Sequence, residues 1–159
     1  MDFNTAWNIV RTDLTPQPWD HTTPDGTTLR IIPDAFPADP GDAEVYVRLT
    51  RPDATGLYDY GITGPDSRGV AEFTVTTTVL PALIQAVRDR QEWEGTSTTD
   101  DTLTVTPDTV GVLVRVTEVH YADGGKREET VSTLLPDGQR LPLASALARA
   151  LDVAKSWED

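Results

Sequence analysis

Near neutral pH, the reactive chemistry open to this 159-residue sequence rests on two histidines, five serines and a surplus of carboxylates. Histidine is the side chain whose ordinary pKa lies closest to neutrality. His21 follows Asp20 in a proline-rich stretch, an adjacency that can begin a metal site. Such a site needs further ligands at defined spacing, and none is present. His120 ends a long apolar run beside a glycine-rich connection and reads as an exposed structural histidine. Ser67, Ser97, Ser132, Ser145 and Ser156 lack a G-x-S-x-G elbow or an S-x-x-K spacing. No phosphate-cradling glycine loop of the G-x-x-x-x-G-K-[ST] or G-x-G-x-x-G type occurs.

Paired carboxylates such as Asp100–Asp101 and Glu128–Glu129 are neighbours in sequence. General acid and base work needs two that converge in a cleft, whereas strand neighbours point apart, so these pairs read as solvated surface. With no cysteine, disulfides, thiolate nucleophiles and cysteine-ligated zinc are excluded. The expectation is a protein that is not an enzyme, with no catalytic residue, no cofactor and no metal.

Binding chemistry is easier to place. The segment PDAFPADPGDAE (33–44) carries Asp34, Asp39, Asp42 and Glu44 around Phe36. It lacks the alternating oxygen ligands of a calcium loop. As an extended acidic segment it is suited to dock on a basic partner, phenylalanine supplying apolar area and the carboxylates orientation. Trp19, between Pro18 and Asp20, joins these as a candidate contact. Trp93 and Trp157 fall on helical stripes and read as core. Tyr58 and Tyr60 share one face of a strand.

The formal charge is −13, from 26 acidic and 13 basic residues. A field of that sign disfavours nucleic-acid phosphates and anionic lipid. Direct nucleic-acid binding is therefore not expected, and a basic protein partner is. Nothing reads as a membrane span or a secretory leader, which implies a cytoplasmic protein. The favoured function is a non-enzymatic acidic interaction protein, such as an immunity or antitoxin-type inhibitor or a phage or mobile-element accessory protein. Alternatives are a structural subunit whose threonine-rich edges pair copies into a homo-oligomer, or a small enzyme or ligand-binding domain using carboxylates with His21 or His120.

The elements that would position these residues follow from periodicity. EVYVRLT (44–50) alternates strictly, TTLRIIP (27–33) and VAEFTVTTT (70–78) read as strands, and LYDYGIT (57–63) reads as the arm returning from a turn at 51–56. Thr15 to Gly26 reads as loop, and residues 3–10 as a short helix. Leu80, Leu83, Ile84 and Val87 form one apolar stripe behind Pro81, with Gly95 as the stop. After the polar run 95–102, Val110–Tyr121 is the most apolar strand; its parity switches after Val116, which predicts a bulge near Thr117–Glu118. ADGGK (122–126) predicts a hairpin into REETVSTLL (127–135), and Leu143, Leu147, Leu151 and Ala154 mark a last helix.

The fold class so predicted is α+β: one domain over 1–159, an antiparallel twisted sheet of about 6–7 strands with two main amphipathic helices packed on one face. The matching Leu-Pro openings suggest a weak ββα-type internal repeat, 27–95 and 102–159.

Overall fold

The computed structural model describes residues 19–33, 43–56, 63–122 and 124–156. It holds two four-stranded sheets rather than one. The first contains β1 (Trp19–Thr22), β2 (Thr28–Pro33), β3 (Glu44–Thr55) and β4 (Arg68–Thr76), and the second β5 (Trp93–Thr96), β6 (Thr102–Asp108), β7 (Gly111–Ala122) and β8 (Gly125–Pro136). Each is an antiparallel meander with its strands in sequence order. Each is followed by a helix: α1 (Leu80–Arg88) after β4, and α2 (Arg140–Ser156) after β8 and a single 3-10 turn (Asp137–Gln139).

The single-sheet expectation fails for a physical reason. Both meanders carry one apolar face: Leu29, Ile31, Val45, Val47, Leu49, Phe73 and Val75 on the first, and Leu103, Val105, Val112, Val114, Val116, Val131 and Leu135 on the second. One continuous eight-stranded sheet would leave two short helices to cover all of that surface. Turning the two faces toward each other, with α1 and α2 contributing Leu80, Leu83, Val87, Leu143 and Leu147 to the same cluster, buries everything in one core.

Several local boundaries also move. β1 occupies part of the stretch read as loop, and β3 runs through Pro52 to Thr55, with its register against β4 shifting between Thr50 and Thr55. β3 pairs directly with β4; the proposed return strand 57–63 lies outside the described residues except for Thr63, as does the N-terminal helix. Helix α1 stops before Gly95. Arg90 adopts φ 54, the left-handed region more usual for glycine, and Arg140 donates to the carbonyls of Val87 and Arg88 at the helix end. Gly95 is instead in β5, as is Trp93. No bulge interrupts β7: its pairing with β8 runs unbroken from Gly111 to Ala122. The parity does not switch; the inward face turns polar at Glu118 and His120.

A buried polar tie joins the sheets. The hydroxyls of Thr23, before the turn into β2, and Thr133 on β8 lie 2.6 Å apart. Thr133 also reaches both carboxylate oxygens of Asp25, at 3.3 and 3.2 Å. Asp25 accepts the Thr27 N–H at 2.8 Å. These hydrogen bonds, that of Thr23 foremost, hold the Asp25 carboxyl below its usual range. Replacing Thr133 with valine keeps the shape and removes its hydrogen bonds to Thr23 and Asp25, while the Thr23 hydroxyl keeps Asp25 and the Thr27 carbonyl, so a loss of about 0.5–1.5 kcal/mol is expected in chemical denaturation.

Candidate functional site

Two regions gather polar side chains. The first is the junction where the edge of β4 meets the β7–β8 ribbon. An edge strand leaves unpaired N–H groups, and here two are taken by carboxylates from cross-strand partners Glu118 and Glu129. The Gly69 N–H donates to Glu129 at 2.6 Å, and the Glu72 N–H to Glu118 at 3.0 Å. Thr63 donates to the other Glu118 oxygen at 2.8 Å. Arg127 pairs with Glu129 at 2.7 Å and donates to the carbonyls of Pro65 and Ser67, each at 2.8 Å from Nη2.

Burial pushes the Glu118 carboxyl up to about 7, aided by the charges of Glu72 and Asp101 and opposed by its hydrogen bonds. His120, expected to be exposed, is 8% exposed. Burial, then the positive charge of Arg127, pushes its imidazole down. Its Nε2 has no hydrogen-bond partner and lies 3.8 Å from Glu118 Oε1. The paired carboxylates are likewise not plain surface: Asp101 accepts the Val119 N–H at 2.7 Å, and Asp100 the Tyr121 hydroxyl at 3.0 Å. This junction serves to clamp the two sheets. Its acids face backbone donors, not an open cleft.

The second region is the outward face of the β5–β8 sheet. Strand alternation that sends valines inward sends Thr102, Thr104 and Thr106 of β6, Leu113, Arg115 and Thr117 of β7, and Thr130, Ser132 and Leu134 of β8 outward. These nine positions form three cross-strand rows without a carboxylate. Arg115 stands in the middle row between Thr104 and Ser132; it is exposed and, among the described residues, enters no salt bridge. Leu113 and Leu134 pair beside it, and Thr117 bonds Thr130 at 2.8 Å. Toward β5 the face opens into a hollow of about 490 Å³ lined by Glu92, Trp93, Glu94, Thr104, Thr106 and Arg115. Trp93 is seated by Gly95, where a Cβ would come within 2.4 Å of the indole.

The residues expected from sequence fall elsewhere. Asp34, Phe36, Asp39 and Asp42 lie outside the described residues. Glu44 begins β3, half-buried, on a groove of about 360 Å³ that also meets Thr76, Ser97 and Asp101. Trp19 is not on a loop: it sits in β1, packs against the core and stacks on His21 with ring centroids 6.2 Å apart. Among the described residues no three histidines, aspartates or glutamates gather as metal ligands, and no helix is long and apolar enough to cross a membrane. Arg115 and its threonines were legible only as the polar half of LTVTP and VLVRVT.

No protein-family model and no curated protein matches the sequence. Solved structures do match its fold. WHY1 from Arabidopsis thaliana superposes with a TM-score of 0.61 at 14% identity, over 89% of this chain and 86% of that one. The plant transcriptional regulator PBF-2 gives 0.57 at 15% identity, over 90% and 84%. MRP1/MRP2 from Trypanosoma bruciei gives 0.51 at 15%, over 88% and 94%. These likenesses overturn the expectation of an acidic inhibitor or phage accessory protein aimed at a basic partner, and with it the exclusion of nucleic acid: the chain shares its fold with a transcriptional regulator. Net charge sums the whole surface and does not describe any one face: the nine outward positions of β6–β8 around Arg115 carry no acid, with Glu94 of β5 beside them. None of the three matched structures is described as an enzyme.

Proposed function

We propose that the protein is a non-enzymatic nucleic-acid-binding domain that lays a single strand across the outward face of the β5–β8 sheet. The observation that carries this reading is the hydroxyl-rich outward face of β6–β8, nine positions without a carboxylate around an Arg115 that enters no salt bridge among the described residues, on a fold shared with a transcriptional regulator; Glu94 of β5 stands at the edge of this face. Arginine and hydroxyl groups are the side chains that hold phosphate oxygens. Leu113 and Leu134, paired on neighbouring strands, offer apolar area against which unpaired bases pack. Neither helix stands proud of this face to enter a duplex groove, which favours a single strand over a double helix.

Few cations take part, so the salt dependence is shallow: about one or two phosphates neutralised in the slope of log K on log salt. The test is fluorescence anisotropy with a labelled single-stranded oligonucleotide and its duplex at low salt. Arg115→Glu is expected to weaken single-strand binding by about tenfold or more, roughly 1.4 kcal/mol or above, with an unchanged melting curve. Tighter binding of the duplex, or an Arg115→Glu variant that binds as the parent does, would overturn the proposal.

A further inference from the structure

The outward row Glu94, Thr104, Arg115 and Ser132 crosses all four strands of the second sheet, each residue the direct partner of the next. Direct partners on neighbouring strands share a face. Leu103, Val105, Val114 and Val116 occupy the buried one. Glu94 and Arg115 therefore rise from the same side, with Thr104 between them and two strand spacings, about 9–10 Å, between their backbones. Both are exposed and both line the hollow of about 490 Å³. Among the described residues neither makes a hydrogen bond or a salt bridge. We propose that Glu94 selects guanine: its carboxylate accepts from N1–H and from the 2-amino group of an unpaired guanine lying in the hollow, while Arg115 holds a phosphate of the same strand. This inference rests on the single-strand reading above and concerns which base that face prefers.

A carboxylate beside a phosphate track lowers the affinity for every strand unless a base compensates through its donors. Glu92 and Glu94 both line the hollow, so phosphate oxygens are turned away from it toward Arg115, and the group that enters must donate. Bases of a single strand expose their Watson–Crick edges. Guanine alone among the common bases carries two donors side by side on that edge, and a carboxylate is a pair of acceptors that meets both. Cytosine and adenine offer one amino group beside a ring nitrogen that accepts, and thymine one N–H between two carbonyl oxygens. Each sets an acceptor against a carboxylate oxygen, so the acid that favours guanine also disfavours the other bases. Thr104 stands between the two charged residues, where the sugar joining base to phosphate would lie.

Fluorescence anisotropy at low salt compares a labelled thymidine oligonucleotide with two of equal length in which dispersed thymidines are replaced by guanosine or by inosine, which keeps N1–H and lacks the 2-amino group. The guanosine strand is expected to bind about tenfold more tightly than the thymidine strand, with the inosine strand between them. In Glu94→Gln the amide sets a donor against one of the guanine donors, and the guanosine advantage is expected to disappear while the thymidine strand binds at least as tightly as to the parent. The melting curve should not move, since Glu94 is exposed on an edge strand. Arg115→Glu should weaken all three strands alike. Equal affinities of the parent for the three strands, or a guanosine preference that survives Glu94→Gln, sinks the inference and leaves the single-strand reading standing. A parent that binds none of the three ends both.

Discussion

Leu147→Ala is expected to cost about 2–5 kcal/mol of folding stability, the range for deleting a buried leucine side chain. Leu147 on α2 is 2% exposed. It lines the centre of the core with Leu29, Ile31 and Val47 of the first sheet, Leu83 and Val87 of α1, and Leu103, Val105 and Val114 of the second sheet. All four layers meet at this side chain, so none can close over its loss without pulling away from another. Urea denaturation should show a lower midpoint with an unchanged slope. A loss below about 1 kcal/mol would remove α2 from the shared core.

Glu118→Gln is expected to change the pH dependence of stability. In the folded protein the Glu118 carboxyl is pushed up to about 7, from an ordinary value of 4.5. The folded state therefore holds this proton more tightly than the unfolded chain. Its stabilising contribution is complete below about pH 4.5 and disappears as the pH rises through 7, a difference of about 3 kcal/mol. Glutamine stays neutral throughout; its carbonyl accepts from the Glu72 N–H and its amide donates to Thr63. The variant should match the parent near pH 5 and exceed it by about 2–3 kcal/mol at pH 8. His120, pushed down, acts in the opposite sense, since its contribution is lost as the pH falls below its ordinary 6.5. Subtracting the two stability curves isolates Glu118. Parallel curves from pH 5 to 8 would show that this carboxyl is not proton-linked to folding.

Glu118 also shows where sequence reasoning stopped. Alternation along Val112, Val114 and Val116 correctly assigns the inward face of β7. Continuing the same parity places Glu118 and His120 inward, yet a charged residue at such a position looks like an error of register, and a bulge is the local remedy. The actual remedy is distant: the unpaired N–H groups of β4, 46 residues earlier in the case of Glu72, need acceptors. A carboxylate that satisfies the edge of another sheet cannot be told from a solvated one until both strands are in place. The same holds for Trp19, whose loop-like neighbours conceal a four-residue strand held in place by β2, and for Arg90, whose left-handed backbone ends α1 where the sequence offers glycine only later.

By itself the sequence determined which residues are apolar and at what period, and hence most strands, both helices, the tight hairpin after β7, and the absence of cysteine chemistry. Those are local properties, set by backbone sterics and by side-chain spacing of two or about 3.6 residues. Only the tertiary structure decided that the eight described strands divide into two sheets, that Glu118 and Glu129 tie one to the other, and that Arg115 stands among outward threonines, a serine and leucines of β6–β8. Each depends on which surfaces meet: burying two apolar sheet faces together stabilises more than covering one, and that balance is struck between residues far apart in the chain.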